Sequence, residues 1–302
     1  MRDLDLTTLR LFVAVCEQRN IARAAEQAHI VGSAISKRLA QLELDVGTPL
    51  LVRRRRGVEP TPAGESLLEH ARTMLSTAQS IERDMAAFAQ GVRGQVRILA
   101  SVSALAEYLA DDVAGFLKDP AHKDIQVQLE ERISPEIVRG IQDGMASVGV
   151  CWDAAELGGL QSRPYRSDHL TIVVHPSHPL ADRRSIKFEE TLDSAHVSLP
   201  MASAVQALLQ RAAALQGKTI NYRVVVSNFE AALRVVRANL AISVVPREVA
   251  EPYCSSFGLR VLELDEVWAR RRFVICFREE QGLTPAARML VDYLAMQALQ
   301  PG

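Results

Sequence analysis

Along the first part of the chain, apolar residues return every three or four positions, the period of helices with one buried stripe. Over residues 6–17, Leu9, Phe12, Val13 and Cys16 form such a stripe. A second helix follows closely. Asn20 caps it, and Ile21, Ala24, Ala25 and Ala28 give a narrow face of small residues on which another helix can pack, before His29 and Ile30 end it. A third helix is predicted over residues 33–44, with Ile35, Leu39 and Leu42 facing inward and Ser36, Lys37, Arg38 and Gln41 outside. Gly47, Thr48 and Pro49 break the pattern. Leu50-Leu51, the run Arg53-Arg54-Arg55-Arg56, and Gly57-Val58 leading to Pro60 then predict a short hairpin with a basic tip. Thr61 caps, and Pro62 starts, a long helix over residues 62–90. Within it Leu67, Ala71, Met74, Ala78, Ile81, Met85 and Phe88 alternate in steps of four and three, the spacing of a coiled-coil seam that needs a partner helix. Gly91 and Gly94 stop the helix and form a hinge.

Beyond Gly94 the pattern changes to short β-branched runs at residues 95–100, 125–129, 148–151, 170–174, 224–226 and 242–245, separated by helical segments. Alternation of this kind predicts an α/β fold with largely parallel strands. At 302 residues the chain exceeds one typical domain and can bury more than one core. The net charge of -1 conceals a division: residues 1–60 hold ten Lys/Arg against seven Asp/Glu, and the remainder twenty-five against twenty-nine. The positive excess therefore sits at the N-terminus, where a polyanion would be met. Cys16, Cys151, Cys254 and Cys276 lie far apart with no C-x-x-C pair, which favours buried free thiols over a disulfide framework or a zinc site. His175 and His178 are spaced as H-x-x-H but follow a strand among prolines, where a metal is not expected. The first residues are charged, and no apolar run reaches membrane-spanning length, so a cytoplasmic protein without a membrane partner is expected. An enzyme carrying a DNA-binding appendage finds no support, because G-x-G-x-x-G, P-loop, H-E-x-x-H and G-x-S-x-G patterns are all missing from the sequence. Neither catalysis nor a cofactor is expected.

The stretch from Ile21 to Glu43, Ile-Ala-Arg-Ala-Ala-Glu-Gln-Ala-His-Ile-Val-Gly-Ser-Ala-Ile-Ser-Lys-Arg-Leu-Ala-Gln-Leu-Glu, with Gly47-Thr-Pro-Leu50 and Thr61-Pro-Ala-Gly64 after it, resembles the signature of LysR-type transcriptional regulators almost position by position. The resemblance is sharp over residues 4–64 and diffuse afterwards. It implies a winged helix-turn-helix DNA-binding domain over residues 4–61, a dimerising linker helix over 62–90 and an effector-binding domain over 91–302. The last would consist of two α/β subdomains similar to periplasmic solute-binding proteins, one of about residues 91–152 plus 260–302 and one of about 164–250. Such a regulator binds double-stranded DNA as a homodimer or homotetramer, engages RNA polymerase and answers to a small-molecule effector. Two places depart from the signature. Val31-Gly32-Ser33 stands where the family has Ser-Gln-Pro, and Leu51 where Phe is common. Capping of the third helix is then expected at Gly32 or Ser33, and Gly32 has no side chain with which to read a base.

A helix entering the major groove presents short polar or basic groups near its N-terminus, because base edges there lie within reach of few side chains. Ser33, Ser36, Lys37, Arg38 and Gln41 meet that need, with Ser36 and Arg38 the candidate base readers. Lys37 and the hairpin residues Arg53, Arg54, Arg55 and Arg56 are candidate phosphate contacts. Alone, Lys37 or Arg38 fits a solvated polar face, and four arginines fit a solvated loop or a localisation signal; directly after a helix-turn-helix the run resembles a wing on the DNA backbone. At the sensing end, the strand at 95–100 gives way to Ser101-Val102-Ser103-Ala104, and the strand at 197–199 to Pro200-Met201-Ala202-Ser203-Ala204, each before an apolar helical stretch. Hydroxyls and free backbone N–H groups at such places suit a carboxylate, and plain N-capping by Ser103 and Ser203 is the alternative. By resemblance the pocket also receives Cys151, Trp152, Asn228, Phe229 and Pro246, with ordinary packing as the alternative for Trp152. No carboxylate stands among these positions to receive a cation, so the expected effector is a small anion. A C-terminal domain that has lost ligand binding and serves only assembly is the rival.

Overall fold

The computed structural model describes residues 4–54, 57–89, 94–200 and 203–298. It divides the chain at Ala89/Gln90 into two compact units, the second built from Gln90–Ile141 and Ala146–Gly302.

The first unit begins with helices α1 (Leu6–Gln18), α2 (Ile21–Gln27) and α3 (Gly32–Val46). Asp5 caps α1 by accepting from the amides of Thr7 and Thr8 at 3.2 and 3.0 Å. Asn20 caps α2 as expected, its Oδ1 accepting from Ala22 and Arg23 at 2.8 and 3.2 Å. The expected cap of α3 is corrected: Val31 occupies the position and provides no side-chain acceptor, so the helix starts one residue earlier, at Gly32. Phe12, Val15, Ala24, Ala25, Ile35, Leu39 and Leu42 make the core, with Val15 in the inward place that the pattern gave to Val13. Strands β1 (Leu51–Arg54) and β2 (Gly57–Pro60) pair antiparallel with Arg54 opposite Gly57, which is the predicted hairpin. Arg55 and Arg56 lie outside the described residues. Thr61 then caps α4 (Pro62–Ala89), accepting from Gly64 N at 3.0 Å. A Cβ on Gly64 would stand 2.0 Å from the Leu50 carbonyl oxygen, so only glycine lets the hairpin and the helix start approach this closely.

One part of the predicted seam is corrected. Leu67 packs on the helix-turn-helix core and Ala71 is fully buried, because α1 lies along the first turns of α4. Arg72 adds an ion pair to Glu17 of α1 at 3.0 Å. The start of the linker helix thus completes the first core, and of the expected seam Met74, Ile81 and Met85 are exposed, with Ala78 half-buried between them. The side chain of Phe88 lies outside the described residues.

The second unit opens with β3 (Gly94–Ala100), then α5 (Val102–Ala104), which runs through a π-helical segment Leu105–Leu109 into α6 (Ala110–Leu117). Next come β4 (Ile125–Glu131), α7 (Ser134–Gln142), β5 (Val148–Trp152), the long β6 (Gln161–Val174) and the short β7 (Ser185–Ile186). They are followed by β8 (Ala195–Ser198), α8 (Ala204–Leu215), β9 (Asn221–Val225), α9 (Phe229–Arg237), β10 (Ser243–Pro246) and α10 (Arg247–Phe257). The unit closes with β11 (Arg260–Leu264), β12 (Arg270–Phe277) and α11 (Pro285–Gln297). The main sheet has the order β4-β3-β5-β12-β6-β11-β7, with β10 also on β6. Strand β6 serves two lobes: its first part pairs with β12 up to His169↔Arg270, and its last part pairs with β10 and β11 through Leu170↔Pro246 and Ile172↔Leu262.

Two expectations about this unit are corrected. The strands are mixed rather than largely parallel, since β3 pairs parallel with β4 and β5, whereas β12 and β6 return antiparallel to their neighbours. Strand β11, placed with the first lobe by the boundary at 260, belongs to the second. It pairs with β6 and β7 and buries Leu262 and Leu264 against Leu170 and Ile172, so the chain returns to the first lobe only between β11 and β12.

Candidate functional sites

The first unit displays the exposed face of α3. Ser33, Lys37, Arg38 and Gln41 are exposed and Ser36 is half-buried. Two of them have partners within the unit. Arg38 Nη1 donates to Asp5 Oδ2 at 3.0 Å and to Thr8 Oγ1 at 3.2 Å, and Gln41 donates to Asp45 at 3.0 Å. The hydrogen bonds around Asp5, from the Thr8 side chain first, hold its carboxyl below the usual carboxylate value. Arg54 pairs with Glu59 across the hairpin at 3.0 Å and stays largely exposed. Arg53 lies on β1, and its side chain, like Arg55 and Arg56, is outside the described residues. The pattern missed Glu43, whose Oε1 accepts from the amides of Leu50 and Leu51 at 2.7 and 3.0 Å and ties the end of α3 to the start of the hairpin.

Between the two lobes of the second unit lies a cavity of about 190 Å³. Three strand-to-helix junctions meet at its wall: Ser101-Val102-Ser103 after β3, Ile133-Ser134 after β4, and Ser203-Ala204-Val205 before α8. Ser203 accepts from Gln206 N and caps α8, as the plainer alternative held, whereas α5 is capped by Ser101, accepting from Ala104 N, and not by Ser103. Trp152, Leu199, Pro200 and Phe273 provide an apolar wall, and Ser227 and Arg271 add polar groups. Ser134 Oγ is enclosed and has no hydrogen-bond partner among the described residues.

Of the expected pocket residues, Ser101, Val102, Ser103, Trp152, Ser203 and Ala204 border this cavity. Met201 and Ala202 lie outside the described residues. The others are corrected. Ala104 is buried in the first lobe's core. Cys151 is fully buried among Leu99, Ile137 and Cys276, because alternation along β5 turns it away when Trp152 faces the cavity. Phe229 packs in the second lobe, Asn228 caps α9 by accepting from Ala231 N at 2.9 Å, and Pro246 is buried where β10 meets α10. The expectation that no carboxylate stands nearby is also corrected, since Glu131, Glu136 and Arg132 are part of the wall. Arg132 is engaged by Glu130 and lies 4.0 Å from Glu136.

Arg271 is the residue the pattern could not find. Its guanidinium, 2 % exposed, gives Nε to Asp168 Oδ1 at 2.9 Å, Nη2 to Asp168 Oδ2, and Nη2 again to Ser103 Oγ at 3.2 Å. Glu107 Oε1 is 3.8 Å from the same Nη2, with its side chain wholly enclosed and neither oxygen hydrogen-bonded among the described residues. Burial first, and then the Asp168 charge, push the Glu107 carboxyl well above the usual carboxylate value. A larger cavity of about 300 Å³ lies beside Arg272, but Asp112 grips its Arg166 with two bonds of 2.8 Å and Asp153 holds Arg272 at 2.9 Å. The smaller cavity is the one at which the strand-to-helix junctions meet. The four cysteines are free, and Cys16, Cys151 and Cys276 are buried. Among the described residues no cluster suited to a metal ion occurs, and no helix is long and apolar enough to cross a membrane.

Residues 6–65 match the bacterial regulatory helix-turn-helix protein, lysR family, and residues 89–298 match the LysR substrate binding domain. The RuBisCO operon transcriptional regulator of Allochromatium vinosum is 23 % identical over 295 residues, covering 98 % of this chain and 97 % of its own. CbnR, a LysR family regulator solved in full length with its target DNA complex, superposes with a TM-score of 0.64 at 23 % identity, covering 98 % of this chain and 100 % of that one. The effector binding domain of QuiR in complex with shikimate gives 0.60 at 19 % identity, over 68 % of this chain and 97 % of that one. The chain belongs to the LysR family of DNA-binding transcriptional regulators, with an N-terminal helix-turn-helix, a linker helix and a C-terminal effector-binding domain, and the family is one of regulators rather than enzymes.

Proposed function

We propose that this regulator changes its hold on DNA when a small carboxylate enters the cavity between the lobes of its second unit. The observation that carries the proposal is the convergence of serine-bearing junctions on one cavity, together with a buried arginine in the same wall. A helix start leaves backbone N–H groups unpaired, and several such starts around one space favour an anion. The shikimate bound by QuiR is itself a carboxylate, which agrees with that chemistry. On DNA, Ser33, Ser36 and Gln41 face base edges, Lys37 and Arg53 to Arg56 hold phosphates, and Arg38, steadied by Asp5, reads from the same face. The exposed stripe Met74, Ile81 and Met85 pairs with that of a second copy, giving a homodimer or homotetramer that acts with RNA polymerase in the cytoplasm. Calorimetric titration of the full chain with small acids and with the corresponding amides and amines tests the effector class. Acids are expected to bind, and binding confined to amines or uncharged compounds refutes the proposal.

A further inference from the structure

A guanidinium carries five N–H groups, and burying one without a partner is costly. Asp168 engages the Nε and Nη2 edge of Arg271 in a fork, and Ser103 Oγ accepts the second Nη2 hydrogen. Nη1, with its two hydrogens, donates to no described residue and is not fully enclosed, in a residue that is otherwise 98 % buried and borders the cavity. We propose that Arg271 Nη1 is the group that receives the effector's carboxylate, an inference that rests on the carboxylate reading given above. Ser103 assists: having accepted from Arg271, its hydroxyl keeps its own hydrogen to donate to the same ligand.

The surroundings fit this task. The fork to Asp168 fixes the plane of the guanidinium, so Nη1 is aimed before the ligand arrives and little side-chain freedom is lost on binding. Asp168 also balances the arginine's charge, which is how the group can be buried before any anion binds. The groups facing this pair are Glu107 from the π-helical segment and, beyond it, Glu248 at the start of α10. An ionised Glu107 would add a second negative charge beside Nη2 and oppose an incoming anion. Burial, the first cause of its raised pKa, favours the acid form, which adds none.

The experiment is calorimetry on the full chain with benzoate, succinate, shikimate and further small mono- and dicarboxylates, each beside its carboxamide. Wild type, Arg271→Lys and Arg271→Gln are compared. The best acid is expected to bind wild type at least about tenfold more tightly than its amide and to lose ten- to a hundredfold in Arg271→Gln, the loss of a charge-assisted bond. The acid-to-amide ratio should fall in the order Arg, Lys, Gln, ending near one. Arg271→Lys keeps a cation opposite Asp168, so it carries the test if the Gln variant fails to fold. An unchanged ratio, or equal weakening of acid and amide as a purely structural role would give, overturns the assignment of Arg271 while leaving the carboxylate reading intact. Binding of amines or amides alone, or of no acid in the set, overturns the carboxylate reading itself.

Discussion

Replacing Glu43 by alanine should loosen the joint between the DNA-facing helix and the hairpin. Glu43 Oε1 takes two backbone hydrogen bonds, from Leu50 at 2.7 Å and Leu51 at 3.0 Å, in a half-buried place at the end of α3. A bond to an ionised acceptor contributes about 1.5 to 3 kcal/mol, and water can partly replace it here, so two bonds give about 2 to 3 kcal/mol in all. Glu43→Gln keeps an oxygen in the same position and loses only the charge, about 1 kcal/mol. The effect is local, and native-state amide exchange at Leu50 and Leu51 reports it. Opening should become about thirty- to a hundredfold more frequent in Glu43→Ala and about fivefold in Glu43→Gln. Unchanged exchange in the alanine variant, or equal effects of the two substitutions, would show that the carboxylate does not hold the joint.

Three further outcomes are expected. Arg54→Ala with Arg55→Ala should reduce the slope of log affinity against log salt by about one for each phosphate left without its arginine, while Ser36→Ala should relax sequence preference; binding curves on specific and random DNA separate the two. Ile81→Asp places a charge in the exposed stripe of α4 and should weaken self-association, seen by sedimentation at low concentration. His196, enclosed between Thr191 and the Ser194 carbonyl, has its pKa pushed down to about 4 by burial. The unfolded chain therefore takes up a proton that the native state refuses as pH drops from 6.5 to about 4, and about 3 kcal/mol of stability should be lost across that window. Urea titrations from pH 7 to pH 4.5 check this, and His196→Gln should flatten the slope.

The parts legible in the sequence were those set by near neighbours. Helix spacing, the Asn20 and Thr61 caps and the Leu51–Pro60 hairpin depend on residues a few positions apart, and each forms as predicted. Ser101 and Ser203 were found because a strand end followed by a small-residue helix start is a local pattern. The same pattern recurs at Glu131-Arg132-Ile133-Ser134 and could have pointed to the third junction. Arg271 could not be found this way. It meets Ser103 from 168 positions away, through strand pairings whose register no local period discloses. Alternation along β5 likewise decides that Trp152 rather than Cys151 faces the cavity, and one step of register would reverse them. Leu67 and Ala71 fit a seam by spacing, yet they pack on their own chain because α1 reaches them first.

Fluorescence anisotropy with DNA from upstream of the regulator's own gene tests the central claim most directly, read with and without the acid that binds best. Tight, salt-dependent binding that exceeds binding to random DNA is expected, with a midpoint that moves when the acid is added at a few times its wild-type Kd and moves far less in Arg271→Gln at the same concentration. A midpoint that stays fixed with saturating acid in the wild type, or equal affinity for random DNA, would contradict the account.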